Sequence, residues 1–390
     1  MPLKGIAELP LHYGHMPRWL YRNMVELAGA ISKIIVFEYG KKEMLKRLSD
    51  PFWFQAFGCV LGFDWHSSGL TTTVTAALRD AFKKNEIPLY VAGGKGKTSR
   101  KTQEHIEIIS QKINLSEKYK LYLKERSRII AKIDNSVLQD SYDLYHHVII
   151  FDETSKYCII QQGKNEFSSY ARRYHWIYED VEEKGYFSDS HSGIITSFKL
   201  PKVIDLSSKK SEEARRQCVD LVKERIGNLK KEFMKLTIPK IQKTLYEWAE
   251  IKVGEEFIKE NKNKEKIKKL ILDSEHEIFR VSKKINWNAL KQAYENNPSD
   301  FKELISIEGI GKNTIRALCL ISALIYGKEP SWQDPASYSF AHGGKDGVPY
   351  PINKLRYEKS ISLLQDAIKN AEIGKKEKLE ALRRLNWFIS

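Results

Sequence analysis

Leu144-Tyr-His-His-Val-Ile-Ile-Phe-Asp-Glu-Thr-Ser-Lys-Tyr-Cys-Ile-Ile-Gln-Gln162 reads as two β-rich runs, Leu144 to Phe151 and Tyr157 to Gln162, around a short polar gap. β-Branched and aromatic residues crowd both runs, and Glu153-Thr-Ser-Lys156 between them suits a hairpin turn. With the turn centred near Ser155, Asp152 falls opposite Lys156 or Tyr157 at the tip, while His147 and Val148 fall opposite Gln161 and Gln162. Alternation puts His146 and His147 on opposite faces, so only one of them easily joins Gln161 or Gln162. Asp152 and Glu153 at the tip form a candidate pair of Mg²⁺ or Mn²⁺ ligands, or else a solvated turn, separate from the His/Gln cluster.

Outward from the hairpin, helical spacing dominates. Leu20, Met24, Leu27, Ile31 and Ile34 mark a helix between Trp19 and Tyr39, and further helices fit Phe52 to Leu61, Leu70 to Phe82, 102–113 and 116–138. Short strands fit Ile87 to Ala92, 193–199 and 202–206. From Lys209 to Lys284 the chain turns charged and periodic, either a solvated helical face or an arm along a duplex. Residues 331–359 suit an ordered loop, followed by a helix from Ile361 and another ending near Leu385. The architecture expected is an α/β or α+β N-terminal domain over 1–206, a charged helical region over 207–284, and a helix-hairpin-helix domain with a helical extension over 285–390.

Asp300-Phe-Lys-Glu-Leu-Ile-Ser-Ile-Glu-Gly-Ile-Gly-Lys-Asn-Thr-Ile-Arg-Ala-Leu318 carries the last of these. Asp300 caps a first helix, Gly309 and Gly311 permit a tight turn, and Ile310 plugs the core between them. The turn and the start of the next helix present free N–H groups to an anion, with Lys312, Thr314 and Arg316 beside them. Such contacts hold phosphates without reading bases. The pattern resembles the helix-hairpin-helix of DNA repair proteins. In the glycosylases of that class a lysine stands two residues after the second glycine; here that place holds Asn313, and Asp334 lies in a Trp-Gln-Asp-Pro setting. Base excision is therefore disfavoured.

Chemistry-bearing residues gather in the N-terminal half. His12 and His15 precede Arg18. Asp64 and His66 could share a metal or a phosphate ahead of a threonine-rich helix start. Ala171-Arg-Arg-Tyr-His-Trp176 offers Arg172 and Arg173 as phosphate clamps and His175 as acid, base or ligand, and His191 is a further contributor. Val91-Ala-Gly-Gly-Lys-Gly-Lys-Thr98 imitates a P-loop but has valine where the first glycine belongs, so no ATP is expected. Lys95, Lys97, Arg100 and Lys101 on that glycine-rich loop suit a mobile phosphate-backbone contact instead.

Composition sets the frame. The 390 residues carry 65 Lys and Arg against 50 Asp and Glu, a formal charge of +15 that attracts phosphate polymers. Cysteines 59, 158, 218 and 319 form no CxxC pair, which argues against zinc, iron–sulfur and disulfide frameworks. No stretch resembles a signal peptide or a membrane span, so the cytoplasm or nucleoid is the expected location.

Several uncommon strings agree with one family. Gly5-Ile-Ala-Glu-Leu-Pro-Leu-His-Tyr-Gly-His15, Asp50-Pro-Phe-Trp-Phe-Gln55, Asp64-Trp-His-Ser-Ser-Gly69, Gly93-Gly-Lys-Gly-Lys97, Tyr145-His-His-Val-Ile-Ile-Phe-Asp152, Gln161-Gln-Gly163, the 171–176 string and Phe340-Ala-His-Gly-Gly-Lys-Asp-Gly347 resemble the archaeal and bacterial domain-of-unknown-function family 763. The resemblance assigns no catalytic role. From the residues themselves, the leading expectation is a metal-dependent DNA nuclease or phosphodiesterase acting on structured or partly single-stranded DNA. Asp64, His66, His147, Gln161, Arg172 and His175 would surround the scissile phosphate, with Mg²⁺ or Mn²⁺ at Asp64, His66, Asp152 and Glu153. The alternative is a noncatalytic DNA-binding protein. Sequence-independent DNA contact and self-association are the partners considered.

Overall fold

The computed structural model describes residues 17–63, 68–165, 170–197, 199–236, 285–336, 338–339, 354–371 and 373–389. Asp64 and His66, the His12 and His15 pair, and most of the charged 209–284 stretch lie outside the described residues. So does the Phe340 to Gly347 string.

Four helices open the described chain: α1 Arg18–Tyr39, α2 Lys41–Ser49, α3 Pro51–Val60 and α4 Gly69–Lys84. In α1, Met24, Leu27, Ala28, Ile31 and Ile35 recur at three- and four-residue spacing, and all are buried. Asp50 starts α3 by accepting hydrogen bonds from the Phe52 and Trp53 N–H groups at 2.9 and 3.3 Å, with Pro51 in the first turn. The sequence pattern missed α2, whose polar face is long and whose buried apolar residues are Met44, Leu45 and Leu48.

Next come β1 Tyr90–Lys95, a 3₁₀ turn at Gly96–Lys101, α5 Thr102–Lys112, α6 Glu117–Lys132 and a π turn at Ile133–Val137. β2 Leu138–Gln139, β3 Tyr142–Phe151, β4 Tyr157–Asn165, β5 Ala171–Ile177, α7 Tyr178–Lys184, β6 Gly193–Thr196 and β7 Ile204–Asp205 follow. A sheet of order β1-β3-β4-β5-β6-β8, with β8 at Tyr338–Ser339, is antiparallel except at its β6–β8 end; β2 pairs separately with β7. The hairpin forms, with Phe151 opposite Tyr157 and His147 opposite Gln161; Val148 faces Ile160 and neither of the expected glutamines.

Three expectations shift. The strand expected at Ile87–Ala92 begins later and takes in the glycines, so Gly93 and Gly94 are sheet residues and not a loop. Gly93 has φ +102°, and a Cβ there would stand 2.2 Å from the His147 carbonyl oxygen, so only glycine allows this pairing. The helix expected over 116–138 stops at Lys132 and hands the chain through the π turn to β2. β5 escaped notice as a strand because Arg172, Arg173 and His175 make it look like surface, yet all of its residues are buried.

The remaining described helices are α8 Glu212–Lys223, α9 Ile226–Leu236, α10 Trp287–Asn296, α11 Phe301–Ser306, α12 Lys312–Tyr326, α13 Lys354–Asn370 and α14 Lys375–Ile389. The first of the last two therefore begins before the expected Ile361. α12 packs on α8, while α13 and α14 return to α1 and α3. One hydrophobic cluster joins Met24 near the start to Leu385 near the end. None of the described helices is long and apolar enough to cross a membrane.

The sheet is covered on both faces. One face carries His146, Gln162 and Arg173 toward α2, α3 and α4; the other carries His147, Gln161 and Tyr174 toward α6 and the π turn.

Candidate functional site

On the α6 face, a chain of hydrogen bonds starts at Ser127 and ends at His191. Gln161 is the key to its polarity. Its amide nitrogen donates to the Asp134 carboxylate and, at 3.4 Å, to the Ile130 carbonyl, so its oxygen must face His147. His147 therefore donates from Nδ1 to Gln161 Oε1 at 2.7 Å, leaving Nε2 to accept from the Ser127 hydroxyl at 2.8 Å. Asp134 also receives Trp176 Nε1 at 2.8 Å and meets His191 Nε2 at 2.6 Å. Burial pushes the His147 pKa below its ordinary value, in keeping with this neutral tautomer. Asp134 and Ser127 were not singled out from the sequence; each sits in a helix-like run with no distinguishing neighbour.

Farther along the same face, Arg172 is fully buried between two carboxylates. Its Nη1 donates to Asp140 Oδ2 at 2.9 Å, and Nη1 and Nη2 reach the two Asp334 oxygens at 3.1 and 2.7 Å. Tyr174 adds a 2.7 Å hydrogen bond to Asp140, and the Leu200 and Ala336 N–H groups donate to Asp334 at 2.7 and 2.9 Å. Burial alone would weaken the Arg172 charge, but the two aspartates outweigh it and hold the guanidinium firmly protonated. Asp140 is shifted up, by burial first and with Asp334 contributing, because one cation serves two anions. Arg172 thus ties β5 to the segment that follows α12, with Asp334 of the Trp-Gln-Asp-Pro string as one of its counter-ions.

The opposite face is a second polar layer. Arg173 donates to Gln55 Oε1 at 2.9 Å, Thr71 Oγ1 at 3.3 Å and the Pro51 carbonyl at 3.4 Å, and burial lowers its pKa to about 9. His175 Nδ1 donates to the Leu48 carbonyl at 3.1 Å, and burial beside Arg173 drives its pKa far down. Gln162 bonds Thr71, Tyr145 and, at 2.9 Å, the Ser68 carbonyl. His146 meets Thr75 Oγ1 at 3.1 Å, and burial takes its pKa down to about 3. Of the residues expected around one phosphate, then, His147 and Gln161 meet. Arg172 shares their face but is bound to aspartates, and His175 lies across the sheet.

At the hairpin tip, Asp152 Oδ1 accepts from Thr154 N at 2.8 Å, Thr154 Oγ1 at 2.7 Å and Lys156 N at 3.0 Å. Its carboxylate ties the turn, and Glu153 pairs with Lys41. Among the described residues, no three His, Cys, Asp or Glu side chains are grouped so that they could hold a metal ion. Asp152→Ala should lower stability by about 1–3 kcal/mol through the lost turn bonds. A thermal melt unchanged from wild type would refute that role.

The 300–318 segment folds as helix, turn, helix. Asp300 Oδ1 accepts from Glu303 N at 2.8 Å, Gly309 has φ +84°, and Ile310 is fully buried between the glycines. Gly311 is the N-cap of α12, with no side chain capping it, and Glu308, Gly309 and Asn313 are exposed. The expected contacts divide here. Thr314 and Arg316 turn inward, Arg316 Nε donating to Gln139 Oε1 at 2.6 Å. Gln139 also donates to the Lys312 carbonyl at 3.0 Å, and Lys312 Nζ reaches Asp143 at 3.1 Å. Lys95, Lys97, Arg100 and Lys101 are all exposed, at the end of β1 and along the 3₁₀ turn.

Comparison with known proteins returns one match, to the family described as "Protein of unknown function (DUF763)", over residues 5–352. No curated protein and no solved structure matches the chain.

Proposed function

The chain belongs to the DUF763 family, whose description assigns no function, and from that premise we propose that it holds nucleic acid by the phosphate backbone without reading bases. In this reading the polar interior of the sheet serves structure rather than catalysis. The observation that carries it is the Gly309–Asn313 turn, exposed at Gly309 and Asn313 and half-buried at Gly311 and Lys312, where a 15-residue helix starts with no side chain capping it. Free N–H groups and the helix dipole there favour an anion, as in a helix-hairpin-helix contact. The exposed Lys95, Lys97, Arg100 and Lys101 add a second basic contact, and the +15 formal charge supplies long-range attraction.

The nuclease alternative draws less support from the geometry. His147, Gln161, Arg172 and His175 are buried and bonded to protein partners, an arrangement that suits a framework.

Fluorescence anisotropy with labelled duplexes of unrelated sequence tests the proposal. A Cβ at Gly311 would meet nothing within 4 Å, and its φ is −116°, so Gly311→Glu should fold normally. It should weaken binding tenfold or more by placing a carboxylate before the anion site. Lys97→Ala and Arg100→Ala should weaken binding of all sequences alike, each lowering the salt slope by about one ion. Affinity that ignores salt, or is untouched by these changes, defeats the proposal. Metal-dependent cleavage in the same samples, lost in Asp64→Ala or His66→Ala, would restore the nuclease reading.

A further inference from the structure

A cleft of 590 Å³ opens between α1, α4 and β1, the terminal strand of the sheet, on the face that carries His146. Its lining is graded. Val91, Val148, Gly93 and Thr75 are buried at the bottom; Tyr21, Thr72, Thr73, Ala76 and Thr98 are half-buried; Arg18, Arg22, Arg79 and Lys95 are exposed. Apolar groups thus form the base of the cleft and cations its rim.

The rim has an excess of positive charge. Arg18 and Arg22 stand one turn apart on α1, so they project from one side of that helix. Arg79 comes from α4 and Lys95 from β1. Asp80 accepts from the Tyr21 hydroxyl at 2.7 Å and meets Arg79 at 3.3 Å, which fixes the tyrosine ring at the wall and partly neutralises one cation. No described acid pairs with Arg18, Arg22 or Lys95. Three cations from two elements therefore converge on one opening, and among the described residues no carboxylate pairs with them. Thr73 and Thr98 add neutral hydroxyls at intermediate depth, while the Thr72 hydroxyl donates to the Gly69 carbonyl at 3.1 Å.

We propose that this cleft binds a nucleoside phosphate, with the phosphate among Arg18, Arg22 and Lys95 and the base against Tyr21, Ala76 and Val148. Its volume lies within the roughly 300–1,000 Å³ of small-ligand sites. Guanidinium groups match phosphate oxygens in pairs, and an aromatic wall over an apolar bottom suits a flat heterocycle. A bare inorganic anion would leave the apolar bottom unfilled. The site is separate from the Gly309–Asn313 turn, although both recognise phosphate. The same chemistry arrives either as a free nucleotide or as the phosphorylated end of a strand.

Calorimetric titration separates these sources. The probes are adenosine 5′-monophosphate, inorganic phosphate, and one short single strand with and without a 5′-phosphate. Arg22 and Lys95 are exposed and unpaired among the described residues, so the Arg22→Ala/Lys95→Ala double variant should melt like wild type; Thr73→Val checks the hydroxyl wall without changing charge. The wild type should bind the mononucleotide more tightly than inorganic phosphate, and the double variant should lose tenfold or more. A free nucleotide is the ligand if the mononucleotide shows that loss. A strand end is the ligand if only the 5′-phosphorylated strand shows it. The proposal is overturned if wild type binds none of these probes, or if the double variant and Thr73→Val bind them unchanged. Gly311→Glu should keep mononucleotide binding, so failure of the duplex proposal and failure of this one are read separately.

Discussion

Arg172→Leu should destabilise the protein by about 3–5 kcal/mol, enough to remove most of the stability of an ordinary domain. The guanidinium is fully buried and makes three charge-assisted hydrogen bonds to Asp140 and Asp334. Leucine fills much of the volume but leaves two carboxylates in a low-dielectric interior with no counter-ion. Coupling gives the decisive check. Arg172→Leu combined with Asp140→Asn and Asp334→Asn should recover a substantial part of the loss, because the uncompensated charge is gone. A single variant that melts like wild type and merely stops acting on nucleic acid would instead make Arg172 a phosphate clamp.

Acid should unfold the protein well before ordinary carboxylates titrate. His146, His147 and His175 are buried, and burial lowers all three from the usual 6.5, His146 to about 3. A base with a depressed folded pKa takes up its proton more readily when unfolded. Stability is therefore full above pH 6.5 and falls as pH drops below it, by about 1.4 kcal/mol per unit for each histidine, down to the folded pKa. Asp205 acts in the opposite sense. Burial raises it to about 6, so the folded state gains its proton first between pH 6 and 3.8, and Asp140 shifts in the same direction. The histidines outnumber the raised aspartates, which leaves a net uptake of protons on unfolding near pH 5.5. Denaturant melts from pH 7.5 to 5 should show the midpoint falling steadily below pH 6.5. A flat profile through that range would mean that these histidines are not held neutral inside the fold.

Much of the local structure was legible in the order of residues. The hairpin followed from two β-rich runs and a polar gap, and the alternation that sent His146 and His147 to opposite faces is a property of any strand. The 300–318 turn followed from capping and paired glycines, with Ile310 buried as the pattern required. β5 was hidden for a physical reason. Arginine and histidine usually mean solvent, and nothing in Ala171–Ile177 indicates that Asp140, Asp334, Gln55 and the Leu48 carbonyl would arrive to satisfy them. The glycines at 93 and 94 misled in the same way. They suggested an open loop, but their lack of a side chain serves close pairing with β3.

The candidate site was the harder part. Sequence could list cations and histidines but could not sort them, because sorting depends on partners from distant segments. Arg316 and Thr314 looked like backbone contacts beside Lys312, yet the tertiary fold buries both and binds Arg316 to Gln139 of β2. Arg18 and Arg22 lie on α1 and Lys95 on β1, and only the packing of both elements against α4 gives them a common opening.

By itself the sequence determined the net positive charge, the hairpin, the glycine turn and the alternation of faces, because each depends on composition or on neighbours a few residues apart. Only the tertiary structure decided which polar residues are framework and which remain available to phosphate. A charge is worth what surrounds it, and those surroundings are brought together from segments more than a hundred residues apart, as Arg172 and Asp334 are.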